Sequence, residues 1–292
     1  MADKASVRGL TLALGATGIV VAAFLSTSPI PQDPAYHAFA DGRSFLGIPN
    51  AWNVLSNLPF LIVGGWGLAA VARSALSPTF RGRAPAYLVF FAGILLTAFG
   101  SAWYHLAPDN ESLAFDRLPM TIGFSGLFAI VVGEFVSVLL ARRLLIPLLV
   151  LGVASVLYWV VTEHRGIGDL RPYAVVQFLP MLLIPAILIA SRSSSAMAGF
   201  FWLMILFYVL AKICEYYDAK IFEVTGIVSG HTLKHVFASL APATLLFALY
   251  RRKSATLRQP ATQFTLPIRG GTMRPLAGPP GGDLPGRPRD MR

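Results

Sequence analysis

Eight stretches of this chain are apolar enough and long enough to cross a bilayer as helices, near residues 8–28, 51–72, 84–105, 117–140, 144–162, 172–191, 197–217 and 231–250. About 20 helical residues cover the roughly 30 Å of hydrocarbon in a membrane. Hydrocarbon offers the backbone no hydrogen-bond partners, so such runs must satisfy their own peptide groups, and the predicted fold class is an all-α membrane protein. Composition agrees: 55% of the 292 residues are hydrophobic, 13% are charged and the mean hydropathy is +0.64. The predicted organisation is an N-terminal transmembrane helix within 1–30, a seven-helix core over 31–253, and a tail over 254–292. The first run follows Lys4 and Arg8 without a clean small-x-small cleavage site, so it is read as an uncleaved helix. The tail closes in "GGTMRPLAGPPGGDLPGRPRDMR", a basic sequence rich in Gly and Pro whose composition predicts disorder.

The formal net charge is +10, yet the basic residues form short clusters between apolar runs rather than one stripe, which argues against a nucleic-acid partner. Lys4 and Arg8, then Arg73, Arg81 and Arg83, then Arg142 and Arg143, then Arg192, then the cluster after residue 250 occupy every second connection. The positive-inside rule places those connections, and both termini, in the cytoplasm. The alternate connections carry Asp33 and Asp41, "DNES" at 109–112, Glu163 and Asp169, and Glu215, Asp218 and Glu223, and are expected to face outward. Cys214 is the only cysteine, which excludes an intramolecular disulfide and any Cys-rich metal site. Metal ligands would have to be His or carboxylates.

Ionisable groups within membrane spans are costly and by default point to function. Ser101 and His105 stand at the predicted outer end of the third span, Asp116 at the outer start of the fourth, and His231 and His235 at the outer start of the eighth. Residues four apart share a helix face, so Ser101 pairs with His105, and His231 with His235. Three imidazoles from two helices can then meet, and three protein ligands with one open position is the pattern of catalytic zinc. Zinc makes hydroxide available near neutral pH, Asp116 is placed to act as acid and base, and the Ser101 hydroxyl can stabilise a developing oxyanion. Taken singly, each is open to a blander reading: an interfacial histidine, a packing serine, a carboxylate at a helix start. A Ser101–His105–Asp116 triad is the competing enzymatic reading; it leaves His231 and His235 without a task, and the chain lacks a G-x-S-x-G elbow.

"SAWYH", the Asp in "FDRLPM" and the late "HTLKH" together resemble the alkaline ceramidase family, as does "NAWNVLSNLPFLIVGG" at 50–65 with Trp52, Asn53, Ser56 and Asn57. That family belongs to a superfamily of seven-helix membrane hydrolases that also contains lipid-anchor remodelling hydrolases and progestin/adiponectin-type receptors. The resemblance implies a zinc amidase that cleaves the N-acyl bond of ceramide to a sphingoid base and a fatty acid. His105, His231 and His235 match its zinc ligands, Asp116 its acid and base, and Ser101 the residue supporting the metal site or transition state. It implies a lipid substrate entering from the bilayer and a site near the extracytoplasmic side. A receptor-like or an ester-cleaving relative remains the alternative. Animal members carry a calcium site before the first core helix; here "DPAYHAFADGRSFLGIPN" offers Asp33, Asp41 and Asn50 beside Arg43, so the loop is expected to hold itself by packing and hydrogen bonds instead. Lys212, Glu215 and Asp218 are expected to form a structural ion-pair network, the alternative being a carboxylate that accepts the free N–H of a metal-bound histidine, and Lys234 an interfacial anchor or a charge behind the ligands.

Overall fold

The computed structural model describes residues 15, 17–75, 77–191 and 196–258. The structure is helical, with no strand among the described residues and one isolated bridge between Phe45 and Ile48. In chain order the helices are α1 (Ala51–Leu55), α2 (Leu58–Ser74), α3 (Pro78–Arg81), α4 (Ala84–Leu106), α5 (Asn110–Phe135), α6 (Val138–His164), α7 (Arg171–Ala190), α8 (Ala196–Tyr216), α9 (Asp218–Thr225) and α10 (Gly230–Arg258). Seven spans are long and apolar enough to cross a membrane, the first of them formed by α1 and α2 together. The large side chains on their outer surface are apolar and exposed, Ile62, Phe99, Leu182 and Ile189 among them, as lipid-facing helices require.

Of the predicted first run, residues 17–25 are helical, and this stretch is not counted among the seven spans. The predicted tail lies outside the described residues beyond Arg258, which ends α10. The clearest correction concerns the fourth run, predicted over 117–140. A capping box starts α5 at Asn110, with Asp109 accepting from Ser112 N at 2.6 Å and Ser112 Oγ accepting from Asp109 N at 3.1 Å. That cap also holds the Asp109 carboxyl below its ordinary pKa. The helix breaks after Phe135, and Ser137 caps the next one. Asp116 therefore sits almost two turns inside α5 rather than at its start.

α4 is the centre of the bundle, packed between α2 and α5; α5 continues onto α6, and α7 lies against both α5 and α6. α8 pairs with α10, and α10 returns to α2. α7 and α8 barely touch, and the space between them opens onto the cavity described below. Close approach of α4 and α5 depends on glycine: a Cβ on Gly93 would collide with the Gly123 backbone, and one on Gly126 would come within 2.5 Å of Phe90 N. At the opposite end from the α4–α5 turn, Glu134 binds Arg252 through both carboxylate oxygens (2.7 and 3.0 Å) and accepts from the Tyr87 hydroxyl, tying α4, α5 and α10 together.

The segment between residue 26 and α1 crosses the end of the bundle that carries the α4–α5 turn. Leu170 N donates to Ile30 O (2.8 Å), Gln32 N to Glu163 Oε1 (2.7 Å), and Ala40 N to Asp218 Oδ2 (3.0 Å). His37 bonds Tyr104 Oη (2.9 Å) and Asn110 Oδ1 (3.0 Å). Asp33 caps a short 3-10 turn, Pro34–His37, and Arg43 grips Asp41, holding that carboxyl below its ordinary pKa. The loop, expected to hold itself, is held partly by its own Asp33 and Asp41 hydrogen bonds and largely by bonds to the ends of the surrounding helices.

Candidate active site

α10 begins within the protein, and its first turn is fixed twice. Ser229 Oγ accepts from Thr232 N at 3.1 Å, and Asp218 Oδ1 accepts from His231 N at 2.6 Å. Asp218 is accordingly a cap that sets the height of His231, not a member of an ion-pair network. α4 ends nearby, and Asn50 Nδ2 donates to the His105 carbonyl at 2.9 Å, taking up one of the acceptors a helix end leaves open. Asn50 can do so from a left-handed conformation (φ 45°) that asparagine tolerates better than most residues.

These two helix ends bring His105, His231 and His235 together as an equilateral triangle with ring centroids 4.9 Å apart on every side. All three are buried, and one nitrogen from each lies within 4.8 Å of the others. His105 Nε2 and His235 Nε2 are 3.3 Å apart. Two ligands each about 2.05 Å from a tetrahedral ion stand about 3.3 Å apart, so this pair already has the spacing that zinc imposes. His235 Nδ1 bonds Ser56 Oγ at 2.7 Å, which orients the ring and leaves Nε2 facing the centre. The donor set of three imidazoles fits a borderline-soft divalent cation such as zinc.

Ser101 and Asp116 are both buried, on α4 and α5, and line the same cavity. His105 has no partner on Nδ1, and its Nε2 faces His235. Neither nitrogen bonds Ser101 or Asp116, as a serine triad would need. All five predicted site residues therefore gather at one end of the bundle. Ser101, Asp116 and His235 line a cavity of about 460 Å³ that continues between α4, α5, α7, α8 and α10 past Phe90, Leu127, Ile184 and Phe201.

Several neighbours escaped the sequence reading. Phe39 stands edge-on over the centre, 4.6 Å from the rings of both His105 and His231, and no spacing rule connects it to them. Ser56 was recognisable only as part of a signature. Of the two positions expected for Lys234, it takes the one behind the histidines: it is largely buried against Glu215 at 2.6 Å, with its Nζ 3.5 Å from His231 Nε2, and Glu215 also binds Lys212. Asn53, fully buried, donates to Asp41 O (3.3 Å) and accepts from Thr232 Oγ1 (3.0 Å), fastening α1 to α10. Tyr104 and Trp159 are packing residues, whereas Trp103 and Trp202 face outward.

No curated protein matches the chain. The family model described as Ceramidase matches residues 47–267, which takes in α1 to α10 and every residue of the histidine triangle. A match over more than half of the sequence, carried by the elements that assemble the site, makes this chain a member of the Ceramidase family.

Proposed function

We propose that this chain is an intramembrane zinc-dependent amidase that hydrolyses the N-acyl bond of ceramide, or of a related N-acyl lipid, to a sphingoid base and a free fatty acid. One observation carries the reading: three buried imidazoles lie at ligand spacing, and one of them, His235, lines an apolar cavity together with the buried Ser101 and Asp116. His105, His231 and His235 hold the cation, which when bound supplies Lewis acidity that polarises the amide carbonyl and makes water nucleophilic near neutral pH.

The chain's own groups do the rest. Asp116 takes a proton as water adds to the carbonyl carbon and returns it to the amine nitrogen as the C–N bond breaks, since an amine leaves readily only when protonated. The Ser101 hydroxyl donates its one proton to the oxygen on which negative charge develops. Lys234, neutralised by Glu215, holds the rim of the site beside His231. The acyl chain lies in the apolar part of the cavity, and the lipid reaches it from the bilayer between α7 and α8, whose Met181 and Ile205 line the passage. In this reading residues 31–253 are the catalytic core behind an N-terminal membrane helix, both termini are cytoplasmic, and the site lies toward the extracytoplasmic side, as the basic connections require.

The test is metal analysis of the purified protein together with ceramide hydrolysis by wild type, His231→Ala and Asp116→Asn. The expected result is about one zinc per chain and turnover in wild type, no zinc in His231→Ala, and zinc without turnover in Asp116→Asn. Active wild type devoid of zinc would remove the metal from the proposal. Zinc-loaded protein inert to amides but active on ester lipids would remove the amidase.

A further inference from the structure

The cavity contains one charged group that amide hydrolysis leaves without a task. Arg117 is the residue after Asp116 on α5, about 100° further round the helix. It is 6% exposed and lines the same cavity. Its guanidinium carbon lies 4.3 Å from the centre of the Trp159 ring, 4.9 Å from Tyr173 and 5.8 Å from Tyr36, so aromatic rings hold it on several sides. Nη2 donates to Gln32 Oε1 at 2.6 Å, and the buried Nη1 has no partner. Among the described residues no carboxylate forms an ion pair with it. Glu163 accepts from Gln32 N and from the Trp159 indole rather than from Arg117.

A buried cation without a counter-ion is costly, and ring faces offset only part of that cost. The other cations lining the cavity, Lys234 and the more exposed Lys212, are both paired with Glu215. Arg117 is clamped yet keeps an unused donor, the state of a group prepared for an anion that arrives with a ligand. A guanidinium matches a carboxylate by its planar fork of donors. Gln32, Tyr36 and Tyr173 make this end of the cavity polar, while Phe90, Leu127 and Phe201 make the remainder apolar, so a ligand with an acidic group and a hydrocarbon chain has one orientation that satisfies both.

We propose that Arg117 is a carboxylate-binding site for an acidic lipid in this cavity. The inference rests on the cavity being the lipid site of the proposed amidase. The carboxylate has two possible sources, an acidic head group on the amine side of the substrate, as in an N-acyl amino acid, or the fatty acid released by hydrolysis.

The experiment uses the full-length, metal-loaded protein in nonionic detergent. Binding of oleate and of oleyl alcohol is followed by tryptophan fluorescence, which Trp159 beside Arg117 should report, and hydrolysis of N-oleoylglycine is compared with that of N-oleoylethanolamine. Wild type is expected to bind oleate at least about tenfold more tightly than the alcohol, a modest figure for a buried charge-assisted pair. The preference should vanish in Arg117→Gln and be partly kept in Arg117→Lys. If kcat/KM also favours N-oleoylglycine by about tenfold, the head group is the source; if only oleate binding discriminates, it is the product. Equal treatment of acid and neutral partner by wild type in both assays overturns the site, even should the variants fail to fold, and so does a preference that survives in Arg117→Gln. Oleate preference in a protein that cleaves neither amide keeps the site and removes the amidase.

Discussion

His235 is the best-controlled residue of the centre, with Ser56 on Nδ1 and His105 facing Nε2. Groups that orient a ligand typically contribute 10- to 100-fold to metal affinity. Ser56→Ala is therefore expected to weaken zinc binding by about that factor while leaving the helices intact, measured by competition with a calibrated chelator. Asp116→Asn keeps a side chain of the same shape but cannot exchange protons, and kcat should fall by about 10²- to 10⁴-fold with metal content unchanged, read from single-turnover assays beside metal analysis. The ligands and Asp116 were legible because polar groups in a membrane span stand out against an apolar background. Phe39 and Arg117 were not, because their roles depend on contacts with residues far away in the chain.

Helix ends and helix crossings place those residues. α5 begins at a capping box that a hydropathy window does not register, and this moved Asp116 inward by almost two turns. The α4–α5 crossing sets where Ser101 and Asp116 stand relative to one another, and it has no room for a methyl group at Gly93. Gly93→Ala should cost about 1–3 kcal/mol, seen as a lowered Tm, and should reduce activity as the two side chains separate. At the start of α7, Asp169 accepts from the Arg171 guanidinium, and Arg171 in turn donates to Leu25 O and Thr27 O. The Arg171 hydrogen bonds pull the Asp169 pKa from 3.8 down to about 2. A carboxylate with a depressed folded-state pKa stabilises fully above its unfolded value and loses that contribution as pH falls through the folded one. The wild type should therefore lose stability between about pH 4 and pH 2 more steeply than Asp169→Asn, measured as Tm against pH in detergent.

At the scale of the whole molecule, the fold is held by helix packing around α4 and by the Glu134 clamp, while the histidine centre joins α4 to α10 at one end. Stripping the metal with a strong chelator should abolish hydrolysis and leave far-UV circular dichroism unchanged, and added zinc should restore activity; helicity lost together with the metal would show that the centre is structural. The segment before α1, which precedes the family match for most of its length, covers this end through Gln32, His37 and Phe39. The sequence by itself determined the number of core spans, their alternating charge and the set of candidate metal-binding and acid–base residues. Each of these is a local property: hydrocarbon demands unbroken apolar helices, and helical periodicity puts residues four apart on one face. Only the tertiary structure decided where α5 starts in space relative to α4, that α7 and α8 part to open a cavity, and which neighbours orient each imidazole. It also left Arg117 buried without a carboxylate in an ion pair among the described residues. Pairing among buried charges is a long-range competition for a few partners, and its outcome depends on which helices pack together.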